Sequence, residues 1–118
     1  MADDVYRFCK IFLRSADPSE IKGMLASLLG GEFQRRSMYL TDVTVDVLKN
    51  PDAGAEDDFV RWPTFVEVEA GDEAVNESVA GIISKIVEAM WEAGIPAVAA
   101  CSFEDELPWR GGIGRLGP

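Results

Sequence analysis

The sequence predicts an α+β domain with the element order β-α-β-β-α-β. Three observations carry that prediction: two stretches with apolar residues at helical spacing, four stretches rich in β-branched and aromatic residues, and turn-forming clusters between them. The chain has 118 residues, the size of one domain with its own core. Hydrophobic residues make up 47% and charged residues 27%, a balance that favours a folded chain over a disordered one.

Val5 to Leu13, VYRFCKIFL, reads as the first strand. Val5, Cys9, Ile11 and Leu13 fall on one alternating set, and Tyr6, Phe8 and Phe12 on the other, with Arg7 and Lys10 interrupting one set each. A strand apolar on both sides is central or has both faces covered. The segment SADPSEIKGMLASLLGG follows. Asp17 is an N-cap, Pro18 suits the first helical position, and Glu20 gives capping-box spacing. Ile21, Leu25 and Leu28 recur at helical spacing, and Gly30-Gly31 stops the helix after about three turns.

Residues 37–48, SMYLTDVTVDVL, alternate strongly, which predicts one half-buried strand. Tyr39, Thr41, Val43, Val45 and Val47 lie on one side and Asp42, Thr44 and Asp46 on the other. A polar loop, KNPDAGAEDD, leads to residues 59–70, FVRWPTFVEVEA, the third strand. There Val66, Val68 and Ala70 face the core while Phe65, Glu67 and Glu69 face away. Pro63 has no ladder donor, so the start of that strand is an edge, a bulge or a late beginning. Val79, Ile82, Ile83, Ile86, Val87 and Met90 then mark an amphipathic helix, capped by Asn76 or Asp72 and ended by Gly94 and Pro96. Ala97 to Phe103 is the last strand.

Right-handed crossovers turn this order into a ferredoxin-like arrangement: an antiparallel four-stranded sheet in the order 4-1-3-2 with two helices on one face. The domain spans residues 1–108, and residues 109–118 form a glycine-rich C-terminal tail.

Charge and elimination narrow the function. The net charge is −10 with a pI of about 4.3 and only dispersed bases, so a phosphate backbone is repelled and nucleic acid is not the expected partner. No apolar run approaches the roughly 20 residues of a membrane span. The opening MADDVYRFCK has no basic stretch followed by an apolar one, and the expectation is a cytoplasmic protein. The chain contains no histidine, which removes His-dependent triads and His metal sites. Neither a P-loop nor a G-x-G-x-x-G motif is present, and GGIGRLG follows a Pro-Trp turn with no helix behind it. The acidic loops lack the calcium-loop register, and the paired carboxylates lack the marks of a catalytic pocket. No catalytic residue, metal site or cofactor is therefore expected. Cys9 and Cys101, each in an apolar run, read as reduced thiols, with a disulfide between neighbouring strands as the alternative.

What remains is a surface. Between Pro51 and Glu77 lie nine acids and one base, Arg61, with Phe59, Trp62 and Phe65 among them. A second acid-aromatic segment joins Glu104, Asp105 and Glu106 to Trp109. Aromatics framed by acids suit a basic protein partner, and the expected partner-binding residues are Asp57, Asp58, Trp62, Glu67, Glu69, Glu104, Asp105, Glu106 and Trp109. The competing structural reading packs Trp62 and Phe65 beneath the sheet and leaves the acids as a solvated rim. Arg7 or Lys10 would then neutralise Glu67 and Glu69 across the strands.

The segments RWPTFVEVE (61–69) and ACSFEDELP (100–108), in a small acidic chain without histidine, resemble those of immunity proteins from bacterial polymorphic-toxin and contact-dependent inhibition systems. The resemblance implies a non-catalytic inhibitor that binds a basic toxin domain. The alternative is a ferredoxin-like regulatory domain that binds a small ligand and dimerises through its open sheet face.

Overall fold

The computed structural model describes residues 8–54, 58–71 and 74–115. Its centre is a five-stranded antiparallel sheet of β1 (Phe8–Leu13), β2 (Ser37–Tyr39), β3 (Val43–Lys49), β4 (Thr64–Ala70) and β5 (Ala97–Ala100) in the order β2-β3-β4-β1-β5. Helix α1 (Pro18–Leu29) follows β1 and helix α2 (Asn76–Glu92) follows β4. Both pack on one face of the sheet. Cys9, Ile11, Val45, Val66, Val68 and Ala99 meet Ile21, Leu25, Val79, Ile83, Ile86 and Met90 in the main core. Each such aliphatic side chain, fully removed from water, contributes about 1.5–3 kcal/mol.

The sheet has five strands, where four were expected, because residues 37–48 are a hairpin rather than one strand. Leu40 N–H donates to the Val43 carbonyl at 2.9 Å and closes a tight turn at Thr41-Asp42, and Gly71 N–H holds the Asp42 carbonyl at 2.7 Å. The turn reverses the alternation: Met38 stands opposite Val45 and is fully buried, while Tyr39 stands opposite Thr44 and is 69% exposed. Tyr39 therefore lies on the face away from the helices, not beside Val43.

The helix ends follow local chemistry. Asp17 accepts from Ser19 N–H at 3.0 Å and Glu20 N–H at 3.2 Å, so the cap is real. The return bond of a capping box is replaced, since Asp17 N–H donates to Ser15 Oγ at 3.3 Å. Leu29 rather than Leu28 packs on the core, and Leu28 is 37% exposed. Helix α2 begins at Asn76 itself, with Val75 at the cap position, and Asp72 lies outside the described residues. At its far end Ile95 N–H donates to the Met90 carbonyl and Gly94 N–H to the Trp91 carbonyl. This paired closure needs the left-handed φ of 79° that Gly94 adopts without a Cβ penalty.

Strand β1 is central and two-sided, as its sequence indicates. On the face away from the helices, Phe12, Phe65, Val98 and Trp62 form a second buried cluster, with Leu48, Phe59 and Ile113 packed against it. Phe12 meets Phe59 and Phe65 edge-on at 5.5 and 6.1 Å. Residues 59–61 are a 3-10 turn rather than strand, and β4 begins late, just after Pro63. Asn50, 7% exposed, holds that turn: its Nδ2 donates to the carbonyls of Val60 at 2.9 Å and Trp62 at 2.7 Å. Strand β5 stops at Ala100, short of the expected Phe103. The chain turns there and drops Phe103 and Leu107 into the main core. The glycine-rich stretch after 108 packs against β5 and α2 and is described to Arg115, with Gly111 and Gly112 buried.

Candidate functional site

Strand register lays the open sheet face out in three cross-strand rows. Leu48, Phe65, Phe12 and Val98 form the first, at the end covered by the 3-10 turn and Ile113. Ser37, Asp46, Glu67, Lys10 and Ala100 form the second. Tyr39, Thr44, Glu69 and Phe8 form the third. The first row is sealed. The third is open, with Phe8 46% and Tyr39 69% exposed on either side of an exposed Glu69.

The second row is electrostatically unbalanced. Asp46 and Glu67 stand directly opposite each other on adjacent strands, an arrangement of like charges that disfavours the fold. Asp46 Oδ1 is buried and has no hydrogen-bond partner among the described residues. Lys10 is the cation of this row, in register with Glu67. Its ammonium lies over the Phe65 ring, 4.3 Å from the centroid, and 5.8 Å from that of Phe12. Its charge is thus drawn toward the sealed row, and among the described residues no ion pair joins it to the carboxylates.

The residues expected to bind a partner fall into separate places. Glu67, half-buried, and Glu69, exposed, share the open face. Trp62 is only 4% exposed and belongs to the aromatic cluster, so its indole is a core group rather than a surface anchor. The reason is the Asn50 clamp, which folds residues 58–63 down onto Phe12. Asp58 is exposed and caps that turn by accepting from Val60 N–H at 3.3 Å. Asp57 lies outside the described residues. Arg7, one of the two expected neutralising bases, lies outside them as well.

Glu104, Asp105 and Glu106 form a 3-10 turn beyond β5. Asp105 is exposed and pairs with Arg110 at 3.5 Å. Trp109 is 59% exposed. The Pro108–Arg115 segment wraps the β5 edge of the sheet. Its Ile113 reaches the open-face cluster, while Pro108 and Trp109 line a cleft with Glu88, Trp91 and Glu92 of α2. The two acid-aromatic segments therefore do not form one continuous patch: one contributes the open sheet face and the other the flank of α2.

Sequence reasoning missed Phe8 and Tyr39 as surface groups, and it placed Asp46 on the polar side of its strand without seeing its pairing with Glu67. Phe8 reads as core in an apolar strand, Tyr39 loses its face at the turn, and Asp46 gains meaning only from its neighbour across the strands. Among the described residues no group of three or more Cys, Asp or Glu side chains is arranged to hold a metal ion. Among them, too, no helix is long and apolar enough to cross a membrane. Cys9 is a buried thiol and Cys101 a half-buried one.

No family model matches the chain, and neither a curated protein nor a solved structure matches it.

Proposed function

We propose that this chain is a non-catalytic protein-binding domain, an immunity-type inhibitor that docks a basic toxin domain in the cytoplasm through its open sheet face. One observation carries the reading: Asp46 and Glu67 face each other beside Glu69 between two exposed aromatics, Phe8 and Tyr39, on a face where Lys10 is drawn away over Phe65. Folding alone gives no reason to keep such carboxylates together. A partner with lysine or arginine at its interface would relieve their repulsion, and the aromatics would supply apolar area beside the charges. The net charge of −10 would steer the same partner from a distance.

We read the architecture as ferredoxin-like with an added edge strand. The strand order supports this: without β2, the sheet runs β5-β1-β4-β3, the 4-1-3-2 order of four strands. The same order supports the second reading, a dimeric regulatory domain that binds a small ligand. Charge argues against it, because a second copy docked face to face would set Asp46, Glu67 and Glu69 against their own counterparts.

The test is capture from native lysate by the tagged protein at low and high salt, beside the Glu67→Lys/Glu69→Lys variant. The reading predicts one basic protein, held at low salt, released as screening rises, and lost by the variant. Capture unaffected by the two reversals would refute the sheet face as the interface.

A further inference from the structure

The C-terminal end of α2 is built against helix electrostatics. Glu88 and Glu92 stand one turn apart on its surface, both exposed, and the last turn contains no basic residue. Like charges at this spacing repel, and the partial negative charge of the helix C-terminus repels both. The carboxylates border the open cleft of about 360 Å³ that Trp91, Pro108 and Trp109 complete. Arg110, next in the chain, turns to Asp105 instead.

The Trp91 indole and the Trp109 backbone are each fixed locally. Trp91 Nε1–H donates to the Ala97 carbonyl at 3.0 Å. Trp109 sits at φ 53° in a run of left-handed residues, Trp109 to Gly112, which is uncommon for a bulky side chain. Gly112 permits this path: at its φ of 107° a Cβ would collide with the Ala97 carbonyl oxygen and lie 3.1 Å from the Trp91 ring.

We propose that this cleft receives one arginine side chain from the surface of the protein partner, its guanidinium packed on Trp91 and Trp109 and paired with Glu88 and Glu92. Guanidinium fits better than ammonium because it is planar, weakly hydrated and stacks on aromatic faces while donating in its plane. The proposal rests on the reading of the chain as a binder of a basic protein, and it adds a second contact, on the helix flank.

The test needs no partner. The chain has three tryptophans, so the indole N–H signals of nitrogen-15-labelled protein report each site. The probes are N-acetylarginine methylamide and its neutral citrulline counterpart, at matched ionic strength. The arginine probe is expected to move the Trp91 and Trp109 signals along a saturating curve in the millimolar range and to leave buried Trp62 in place. Citrulline and the Glu88→Gln/Glu92→Gln variant should each weaken the response roughly tenfold. That variant should melt no lower than the parent, since it removes repulsion. Absence of a saturable shift, equal shifts with citrulline, or a lower melting temperature of the variant would overturn the proposal. Glu67→Lys/Glu69→Lys should titrate like the parent. A failed titration with intact partner capture therefore removes only the cleft, and a successful titration with no partner captured removes only the wider reading.

Discussion

The two ends of the open sheet face share strands β1, β3 and β4, yet one is core and the other is surface. At one end Phe12, Phe65 and Val98 are buried beneath the 3-10 turn, Trp62 and Ile113. Two rows away Phe8, Tyr39 and Glu69 face solvent. On the three shared strands, alternation does not separate them; what differs is whether another chain segment lies on top. A sheet face is thus finished by its connections. Where no connection covers it, this chain places two carboxylates, Asp46 and Glu67, opposite one another on adjacent strands, an arrangement of like charges that disfavours the fold unless something offsets it.

Breaking the sealed end should cost most. Phe65→Ala removes a ring packed on Phe12 and under the Lys10 ammonium, and we expect a loss of about 3–5 kcal/mol in urea unfolding. A loss under about 1 kcal/mol would mean that the cluster is loosely packed and the contrast between the two ends is overstated.

Asn50→Ala comes next. It removes both bonds that hold the covering turn and leaves the carbonyls of Val60 and Trp62 without those donors, for an expected loss of about 2–3 kcal/mol. It should also make the Trp62 indole accessible to a fluorescence quencher, which would show that the cover itself has lifted. Stability lost without such exposure would assign Asn50 a different role.

Much of the fold was legible because its signals are local. Asp17, Pro18 and the glycines after Leu29 delimit α1, and the alternation of Val66, Val68 and Ala70 with Glu67 and Glu69 assigns the two sides of β4. The hairpin at Thr41-Asp42 was not legible, since it carries neither glycine nor proline and no residue there signals that the two faces swap. Asn50 reads as an ordinary loop residue because its partners are 10 and 12 positions away. The candidate site was legible in part. Glu67, Glu69 and Trp109 are surface groups, but the burial of Trp62 depends on that distant clamp, and the meeting of Trp109 with Glu88 and Glu92 depends on left-handed backbone that few sequences announce.

Lys10 sits at the border of the two ends, in register with Glu67 but with its ammonium over Phe65. Lys10→Met keeps the alkyl stem and removes the charge. The expected change in unfolding free energy is a loss of at most about 1 kcal/mol, the range of a partly exposed cation–π contact. A loss of several kcal/mol would show that Lys10 neutralises the carboxylates and that the charged rows are balanced within the fold.

The smallest effect is the most telling. Asp46→Asn/Glu67→Gln keeps shape and removes the facing negative charges, so urea unfolding of this variant beside the parent separates a structural role from a binding one. We expect the variant to be as stable as the parent or more stable by about 0.2–1 kcal/mol, as relief of directly opposed like charges requires. A loss of more than about 1 kcal/mol would contradict the account, because the carboxylates would then hold the sheet together instead of waiting for a cationic partner.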